Sequence, residues 1–460
     1  MRLLRNFSIL YPHFRLRQLL VILQLLFIAA LAFRASHRQL TLILYLLLGI
    51  GLVLTLLRWP SFGLIIASVA GMIVPYYGPS GLNVTMILVA LLLGLWLLDM
   101  MVREHQIQIA PSRAVWPLLS FLIVSAISFG VGQLPWFSFA HNAPLGAQLG
   151  GLSIVVLSAG IFLLAANQLH DLLWLNRITW AFLTIGALSI LVRSVLPVLG
   201  LPIRDSFQPM GTLFYIWLVA MAFSQAIFNV DLHRGWRWGL GGLVLVTIYI
   251  LLFQKFDDKS GWLSSFVCIA VIIGARSWRA VLALGPVAVL SALYLWKGLV
   301  ATDEYSISTR FDAWSIMAQI IKINPVLGLG FANYYWYTPL FPIRGYAVSF
   351  NSHNNYVDIV AQTGFVGLVC LLLFFWHVGW LGWRLREQVP GGFARAYVYG
   401  VLGGLAGMVV AGMFGDWVLP FFYNIGLNGF RSSMLGWLFL GGLVGLEQML
   451  FAQKLPEARK

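Results

Sequence analysis

Long apolar runs recur along the whole chain, and they constrain its fold more than any other feature of the sequence. Each run is about 16–22 residues long, and roughly 20 residues of helix cross the hydrocarbon core of a bilayer. Helices are required there because lipid offers backbone N–H and C=O groups no hydrogen-bond partner. The candidate spans lie roughly at residues 18–33, 39–57, 60–75, 82–99, 114–130, 150–166, 176–196, 211–229, 238–253, 261–275, 280–297, 363–383, 396–414 and 433–450. The sequence therefore predicts an all-α, polytopic transmembrane helical protein with about 12–14 spans.

Composition and charge support a membrane protein and argue against nucleic acid as a partner. Apolar residues make up 60% of the chain and charged residues 10%, whereas soluble domains carry about 25% charged residues. The net charge of +14 comes from basic residues scattered through short loops, which form no patch. If the N-terminus is placed in the cytoplasm, most Lys and Arg fall in the terminal segments and loops on the cytoplasmic side. This bias predicts a multi-pass membrane protein with both termini in the cytoplasm and membrane lipids around it.

The segment 299–362 is the longest connection between candidate spans, and the predicted topology turns it outward. Long connections in compact domains are usually functional. A helix is predicted over 309–323, ending before Asn324-Pro325. Its apolar residues at helical spacing are Phe311, Trp314, Met317, Ile320 and Ile321. Its apolar stripe predicts packing on the membrane surface or on other spans. A second helix is predicted to begin near Ser352-His353. We interpret 1–460 as one membrane domain that contains this large extracytoplasmic loop.

Charged residues on the outer side suggest two kinds of ligand. The acidic pair Asp257-Asp258 could hold a metal or could be two solvated carboxylates, although neighbouring carboxylates rarely converge on one ion. Arg204, Lys259 and Arg310 could be anchors that snorkel to lipid headgroups. Their common side and their nearness to the long loop favour an anionic ligand instead. Arg binds phosphate oxygens in a bidentate fork.

One histidine stands out in a polar cluster of the long loop. His353 lies within the stretch Phe350-Asn351-Ser352-His353-Asn354-Asn355-Tyr356. A lone histidine is commonly a packed or rim residue, but imidazole is also the natural proton acceptor near neutral pH. The polar surroundings at the start of an outward helix favour a role in proton transfer. The cysteines, Cys268 and Cys370, each lie inside an apolar run and form no disulfide or metal motif.

Residues 306–368 resemble the signature region of the O-antigen ligase/O-antigen polymerase superfamily. The matching pieces are Ser308-Thr309-Arg310-Phe311 with Trp314, Asn324-Pro325 with Gly328-Leu329-Gly330, Asn333-Tyr334, Ser352-His353-Asn354-Asn355-Tyr356, and Thr363-Gly364 with Gly367. Weaker similarity begins near Arg204 and includes Lys259-Ser260-Gly261, so the resembling region spans about 200–385. The order and spacing of the pieces carry the resemblance, since no single piece would suffice.

The resemblance implies a GT-C-like helical fold and a glycosyltransferase activity. Such enzymes transfer a glycan from a polyprenyl (undecaprenyl) pyrophosphate carrier to an acceptor hydroxyl of a glycan or lipid-glycan. They work on the outer, periplasmic face of the cytoplasmic (inner) membrane without a metal or another cofactor, and they invert the anomeric centre. The reaction belongs to O-antigen or surface polysaccharide ligation or polymerisation.

Roles for individual residues follow from the same resemblance. His353 would accept the proton of the acceptor, and Arg310 would bind the pyrophosphate. Lys259 would stand where the family has a second pyrophosphate-binding Arg. The lysine keeps the positive charge of that Arg but loses its bidentate hydrogen bonding. Arg204 would be a further pyrophosphate-binding residue. The neighbouring motif positions would have supporting roles; they are Trp314, Asn354, Asn355 and Tyr356.

Other functions are consistent with part of the sequence. A lipid-linked glycan flippase or transporter would explain the spans and the outer basic residues, but it predicts charges within spans, broken helices and a repeat. A scaffold protein without chemistry would leave the ordered motif to chance. Within the superfamily, ligase, polymerase and protein glycosyltransferase stay open, and family frequency favours the first two.

Overall fold

The computed structural model describes residues 37–76, 78–201, 207–280, 282 and 308–457. These residues are overwhelmingly helical, and their only strand-like pairing is an isolated antiparallel bridge between Ile343 and Tyr346. The predicted all-α class is therefore confirmed. Arg204 and the predicted span 18–33 lie outside the described residues. So does the predicted span 280–297, apart from residues 280 and 282.

The chain divides into two compact units, Met1–Trp59 and Pro60–Lys460. The described part of the first unit holds helix α1, His37–Arg58. The second unit begins with α2 (Pro60–Ile73), α3 (Val84–Asp99), α4 (Val115–Val131), α5 (Leu145–Gln168), α6 (Leu172–Ile190), α7 (Thr212–Phe228), α8 (Arg234–Tyr249) and α9 (Lys259–Arg276). It continues with the loop helix α10 (described over 308–321), α11 (Asn333–Tyr337), α12 (Asn355–Gln388), α13 (Phe393–Phe414) and α14 (Phe430–Glu457).

Eight helical segments within the described ranges are long and apolar enough to cross a membrane. They are Val84–Arg103, Leu145–Gln168, Leu172–Leu199, Arg234–Gln254, Lys259–Arg276, Asn355–Gln388, Phe393–Phe414 and Leu427–Ala452. Two shorter apolar helices, α4 and α7, accompany them. Most side chains of α7 are buried within the protein, so this helix belongs to the core of the bundle. The chain is a multi-pass membrane protein.

Helix α13 lies in the middle of the second unit and packs closely against α7, α9 and α12. An added Cβ on Gly403 would lie 2.5 Å from Ile272 of α9, and one on Gly404 would lie 2.3 Å from Trp217 of α7. An added Cβ on Gly407 would lie 2.9 Å from the carbonyl oxygen of Ser264. Small residues permit such close backbone approach between membrane helices. The pairing of 403 with 272 and of 407 with 264 makes α9 and α13 antiparallel.

The loop helix α10 packs into a core formed mostly by the loop, with Phe421 from the segment after α13. Ala313, Ile316, Met317 and Ile320 are buried in one cluster with Leu329, Tyr334, Tyr337, Ile343, Ala361 and Phe421. Met317 and Ile320 were predicted to lie on the apolar stripe. Phe311, from the same predicted stripe, is 61% exposed, because the buried face includes Ala313 and Ile316 instead. The helix ends at 321, close to the predicted stop before Asn324-Pro325.

The loop helix is followed by a turn that crosses a break in α12. The break lies at Gly364, whose backbone has φ 69° and ψ −179°. The N–H groups of Leu329 and Gly330 donate to the carbonyls of Ala361 and Gln362 at 2.8 and 3.0 Å. In return, the N–H groups after the break, of Phe365 and Val366, donate to the carbonyls of Pro325 and Val326. The Asn324–Gly330 motif therefore completes the hydrogen bonds that the broken helix loses.

Replacing Gly364 by Ala should destabilise the protein by about 3 kcal/mol or more, since only glycine adopts this backbone conformation readily. An added Cβ would also lie 2.0 Å from the carbonyl oxygen of Val326. Thermal unfolding of the purified variant in detergent measures the effect. The control is Gly130→Ala in α4, where an added Cβ meets nothing within 4 Å and alanine favours helix. Equal melting temperatures for the two variants would contradict the role of Gly364.

Candidate active site

Arg310 and His353 line one cavity beside the loop helix. The cavity has a volume of about 310 Å³, and its other lining residues are Thr309, Ala313, Ile343, Phe350, Asn351 and Ser352. Arg310 comes from the first described turn of α10, and His353 from the turn before α12. Residues that are 43 positions apart in the sequence (353 minus 310) are thus brought to one site.

His353 occupies an unusual backbone conformation. Its φ is 48°, in the left-handed region that non-glycine residues seldom adopt. The preceding residue is held from two sides, because Trp314 Nε1 donates to the Ser352 carbonyl at 2.8 Å and Ser352 Oγ lies 2.6 Å from Asp358 Oδ1. The next residue, Asn354, caps α12 by accepting from the N–H groups of Tyr356 and Val357. These contacts fix the backbone on both sides of the imidazole.

Two buried carboxylates lie behind the cavity wall. Asp358 is 1% exposed and accepts a hydrogen bond from the Tyr334 hydroxyl at 2.6 Å. Asp416 is fully buried and accepts from the Phe421 N–H and the Asn424 side chain. Burial raises the pKa of Asp416, and burial together with the Asp358 charge raises the pKa of Tyr334. Both carboxylates hold loop backbone in place and neither lines the cavity.

The charge on Arg310 acts on His353. Burial and the nearby Arg310 guanidinium lower the pKa of His353 below its ordinary value. The imidazole is therefore neutral at neutral pH and can accept a proton. Arg310 Nη1 lies 3.4 Å from the Phe414 carbonyl at the end of α13. Arg344 forms an ion pair with Asp312 at 2.7 Å.

Lys259 stands at the first turn of α9 and does not line the cavity of Arg310 and His353. Since α9 and α13 are antiparallel, Lys259 lies at the same end of α13 that Arg310 contacts. The preceding residue, Asp258, caps α9 and accepts a hydrogen bond from Thr212 at 2.6 Å. Asp257 is exposed. Asp258 is therefore a structural cap, and the two acids do not act as a pair.

The predicted supporting residues act through the backbone. Asn355 donates to the Leu419 carbonyl at 2.8 Å and accepts from the Val418 N–H at 2.7 Å. Tyr356 donates to the Val409 carbonyl of α13 at 2.6 Å. These bonds attach the start of α12 to α13 and to the segment after it. Together with Trp314 and Asn354, they position His353 without lining the cavity.

Sequence reasoning missed two contributors to this site. Asn351 lines the cavity and is 9% exposed, and its side-chain nitrogen has no hydrogen-bond partner among the described residues. An unpaired buried donor costs about 1–3 kcal/mol, which a ligand could recover. The second contributor is Asp358. Its position four residues after the Asn354 cap is the signal that could have placed it beside Ser352.

Comparison with known proteins identifies the segment that carries this cavity. The profile of the family described as O-Antigen ligase matches residues 232–372. This match over residues 232–372 supports assignment to the O-antigen ligase/polymerase superfamily. The match includes Lys259, Arg310 and His353, and it ends before α13. No curated protein sequence matches the chain significantly.

The matched domain supports a general function. The matched domain supports an O-antigen ligase-type function in polysaccharide or lipopolysaccharide biosynthesis, and the family implies a lipid-linked glycan and a glycan acceptor as substrates in general. The family indicates a glycosyltransferase-like membrane enzyme. The match agrees with the superfamily assignment made from the sequence motifs.

Proposed function

We propose that the protein transfers a glycan from a polyprenyl pyrophosphate carrier to an acceptor hydroxyl, in the ligation or polymerisation of O-antigen or another surface polysaccharide. The observation that carries this proposal is the common cavity of Arg310 and His353 within the matched family domain. A fixed cation beside a neutral base matches a reaction in which an anion leaves and a hydroxyl attacks.

The positive charges of the proposed site match the charge of the leaving group. As the bond between the anomeric carbon and the carrier oxygen breaks, negative charge develops on the pyrophosphate. Arg310 binds its oxygens and stabilises that charge in a water-poor site, and Lys259 supplies a second positive charge from the same end of α13. Arg204, which lies outside the described residues, is proposed as a further contact. The two or three cations neutralise the leaving group without a metal.

The base of the proposed site matches the needs of the attacking hydroxyl group. The acceptor oxygen forms the new bond to the anomeric carbon from the face opposite the carrier, so the anomeric centre inverts. His353 takes the hydroxyl proton as that bond forms. Asn351 offers its free amide N–H to a sugar or phosphate oxygen in the same cavity. No group need protonate the leaving pyrophosphate, because it departs as a stable anion.

The proposed site faces the periplasm. Helices α9, α12 and α13 place the cavity at one end of the bundle and carry arginines at the other end, including Arg276, Arg386 and Arg395. An excess of arginine marks the cytoplasmic side of membrane proteins. The position of these arginines supports a protein of the inner membrane with cytoplasmic termini. The lipid-linked donor would then reach the cavity from the outer leaflet.

Transfer by purified protein tests the function. The detergent-solubilised chain should move the glycan from a polyprenyl pyrophosphate donor to a saccharide acceptor with EDTA present and with inversion, as read from the product by NMR. A polyprenyl monophosphate donor should react far more slowly. Movement of the donor across the membrane of proteoliposomes, without transfer to any acceptor offered, would favour a flippase function and contradict the proposed glycosyltransferase activity.

The pH dependence of kcat/KM should report the His353 pKa. The neutral imidazole is the active form, and its lowered pKa keeps it neutral at pH values where an ordinary histidine is charged. Transfer should therefore be constant near neutral pH and fall only as the pH drops through the lowered pKa, below 6.5. Arg310→Gln removes the repelling charge, so the pKa should rise and the acid limb should move to higher pH.

The acid limb of the pH profile is measured from kcat/KM of wild type, Arg310→Gln and Arg310→Lys between about pH 5 and 8. The lysine variant keeps the charge and should keep the wild-type limb. Identical limbs in all three proteins would exclude His353 as the titrating base.

A further inference from the structure

A second arginine-lined cavity lies at the opposite end of the bundle from the candidate site. Its volume is about 540 Å³, and three arginines line it from three helices. Arg276 ends α9, Arg386 lies in the last turn of α12, and Arg395 lies in the first turn of α13. Since the other ends of these helices surround the active site, this cavity opens at the other membrane face.

The charge of this cavity is strongly positive. The one carboxylate that lines it, Glu387, pairs with Arg386 at 2.8 Å and is itself 75% exposed. Arg395 donates to the Val389 carbonyl at 3.2 Å, while its buried Nε has no partner within the described ranges. Three guanidinium groups against one carboxylate leave about two positive charges to be balanced. Guanidinium groups bind phosphate oxygens in bidentate pairs, and a phosphodiester is an anion of this kind.

Aromatic side chains extend the cavity along the membrane-facing surface of α12. Trp383 lines the cavity, and the Arg386 guanidinium lies over its ring at 3.5 Å. Trp376 and Trp380 precede it at helical spacing on the same face, and all three are exposed, by 67%, 50% and 45% along the chain. An apolar strip that ends in a cationic pocket fits a molecule with a phosphate head and a hydrocarbon tail. A soluble anion would use the pocket and leave the strip unused.

We propose that this pocket binds an anionic glycerophospholipid of the leaflet opposite the active site. The phosphodiester lies among Arg276, Arg386 and Arg395, and the acyl chains run along the tryptophan strip of α12. The bound lipid would link the ends of α9, α12 and α13. At their other ends, α9 begins with Lys259, α12 follows His353, and α13 is contacted by Arg310.

Lipid retention by the purified protein tests the site. Wild-type protein is mixed in detergent with phosphatidylglycerol and phosphatidylcholine of identical acyl chains, and bound lipid is counted by native mass spectrometry. Phosphatidylglycerol should be retained at least about fivefold better, because each arginine near a headgroup contributes about 1 kcal/mol. Arg276→Gln and Arg395→Gln should each lose about that factor. Trp380→Ala should weaken retention of both lipids.

The matched control is Arg103→Gln, which removes an arginine that is 75% exposed and lies outside the cavity. It should retain phosphatidylglycerol like wild type. Equal retention of the two lipids, or full retention by both Arg276→Gln and Arg395→Gln, would overturn the proposal. Displacement of phosphatidylglycerol by inorganic phosphate at equal concentration would also overturn it, since the ligand would then be a soluble anion. Transfer activity is not part of this readout, so the test is independent of the proposed function.

Discussion

Replacing His353 by Ala should lower the rate of glycan transfer by about 10²–10⁴-fold, the usual contribution of a general base. Donor affinity should stay within about threefold, because the imidazole is proposed to act on the acceptor and not on the pyrophosphate. The measurements are the steady-state transfer rate and binding of the polyprenyl pyrophosphate donor, at equal protein abundance. A loss of transfer with intact donor binding is the pattern expected of a base.

Two further variants separate chemistry from structure at this position. The left-handed backbone of His353 is strained for alanine, whereas asparagine tolerates it. His353→Asn should therefore keep the fold and still lack a base, and it should be as inactive as His353→Ala. His141→Ala, at an exposed histidine outside the cavity, should transfer normally. Normal transfer by His353→Asn would remove the imidazole from the mechanism.

Replacing Arg310 by Ala should weaken donor binding and transfer together. The guanidinium is proposed to contact the pyrophosphate in the bound state and more strongly as charge develops, so kcat/KM should fall by about 10²–10³-fold. Arg310→Lys should recover part of the loss, since it keeps the charge without the fork. Donor titration and transfer kinetics on the same preparations measure both effects.

The control for Arg310 is Lys322→Ala, at an exposed cation just beyond the other end of the loop helix. It alters the net charge by the same amount but lies outside the cavity. We expect wild-type donor affinity and rate. A donor affinity that falls equally in both variants would indicate a general charge effect and would contradict a specific role for Arg310.

Much of the fold could be predicted because apolar runs specify membrane helices directly. The runs gave the class, and helical spacing gave the loop helix and its end near Asn324-Pro325. The role of Gly364 was not predicted, although it stood in the recognised motif. Its left-handed backbone exists because residues 325–330 cross α12 there, and such a tertiary contact leaves no periodic trace in the sequence.

The candidate site was predicted in part. Arg310 and His353 were identified from motif and chemistry, and the structure brings them to one cavity. Lys259 lies at the same end of α13 but outside that cavity. Asp358 was not predicted as a site residue, because a carboxylate in a polar stretch is usually solvated. Its burial depends on Tyr334 and Ser352, which lie against it and form hydrogen bonds with it. Asn351 escaped notice for the same reason, since an unpaired amide is visible only in three dimensions.

The most direct test of the central claim is a structure of the protein with a non-transferable polyprenyl pyrophosphate donor bound. The pyrophosphate should lie within hydrogen-bonding distance of Arg310, at the end of α13 where Lys259 stands, with the sugar turned toward Asn351 and His353. A pyrophosphate bound elsewhere, for example in the cavity lined by Arg193 and Lys255, with the cavity of Arg310 and His353 left empty, would contradict the proposed active site.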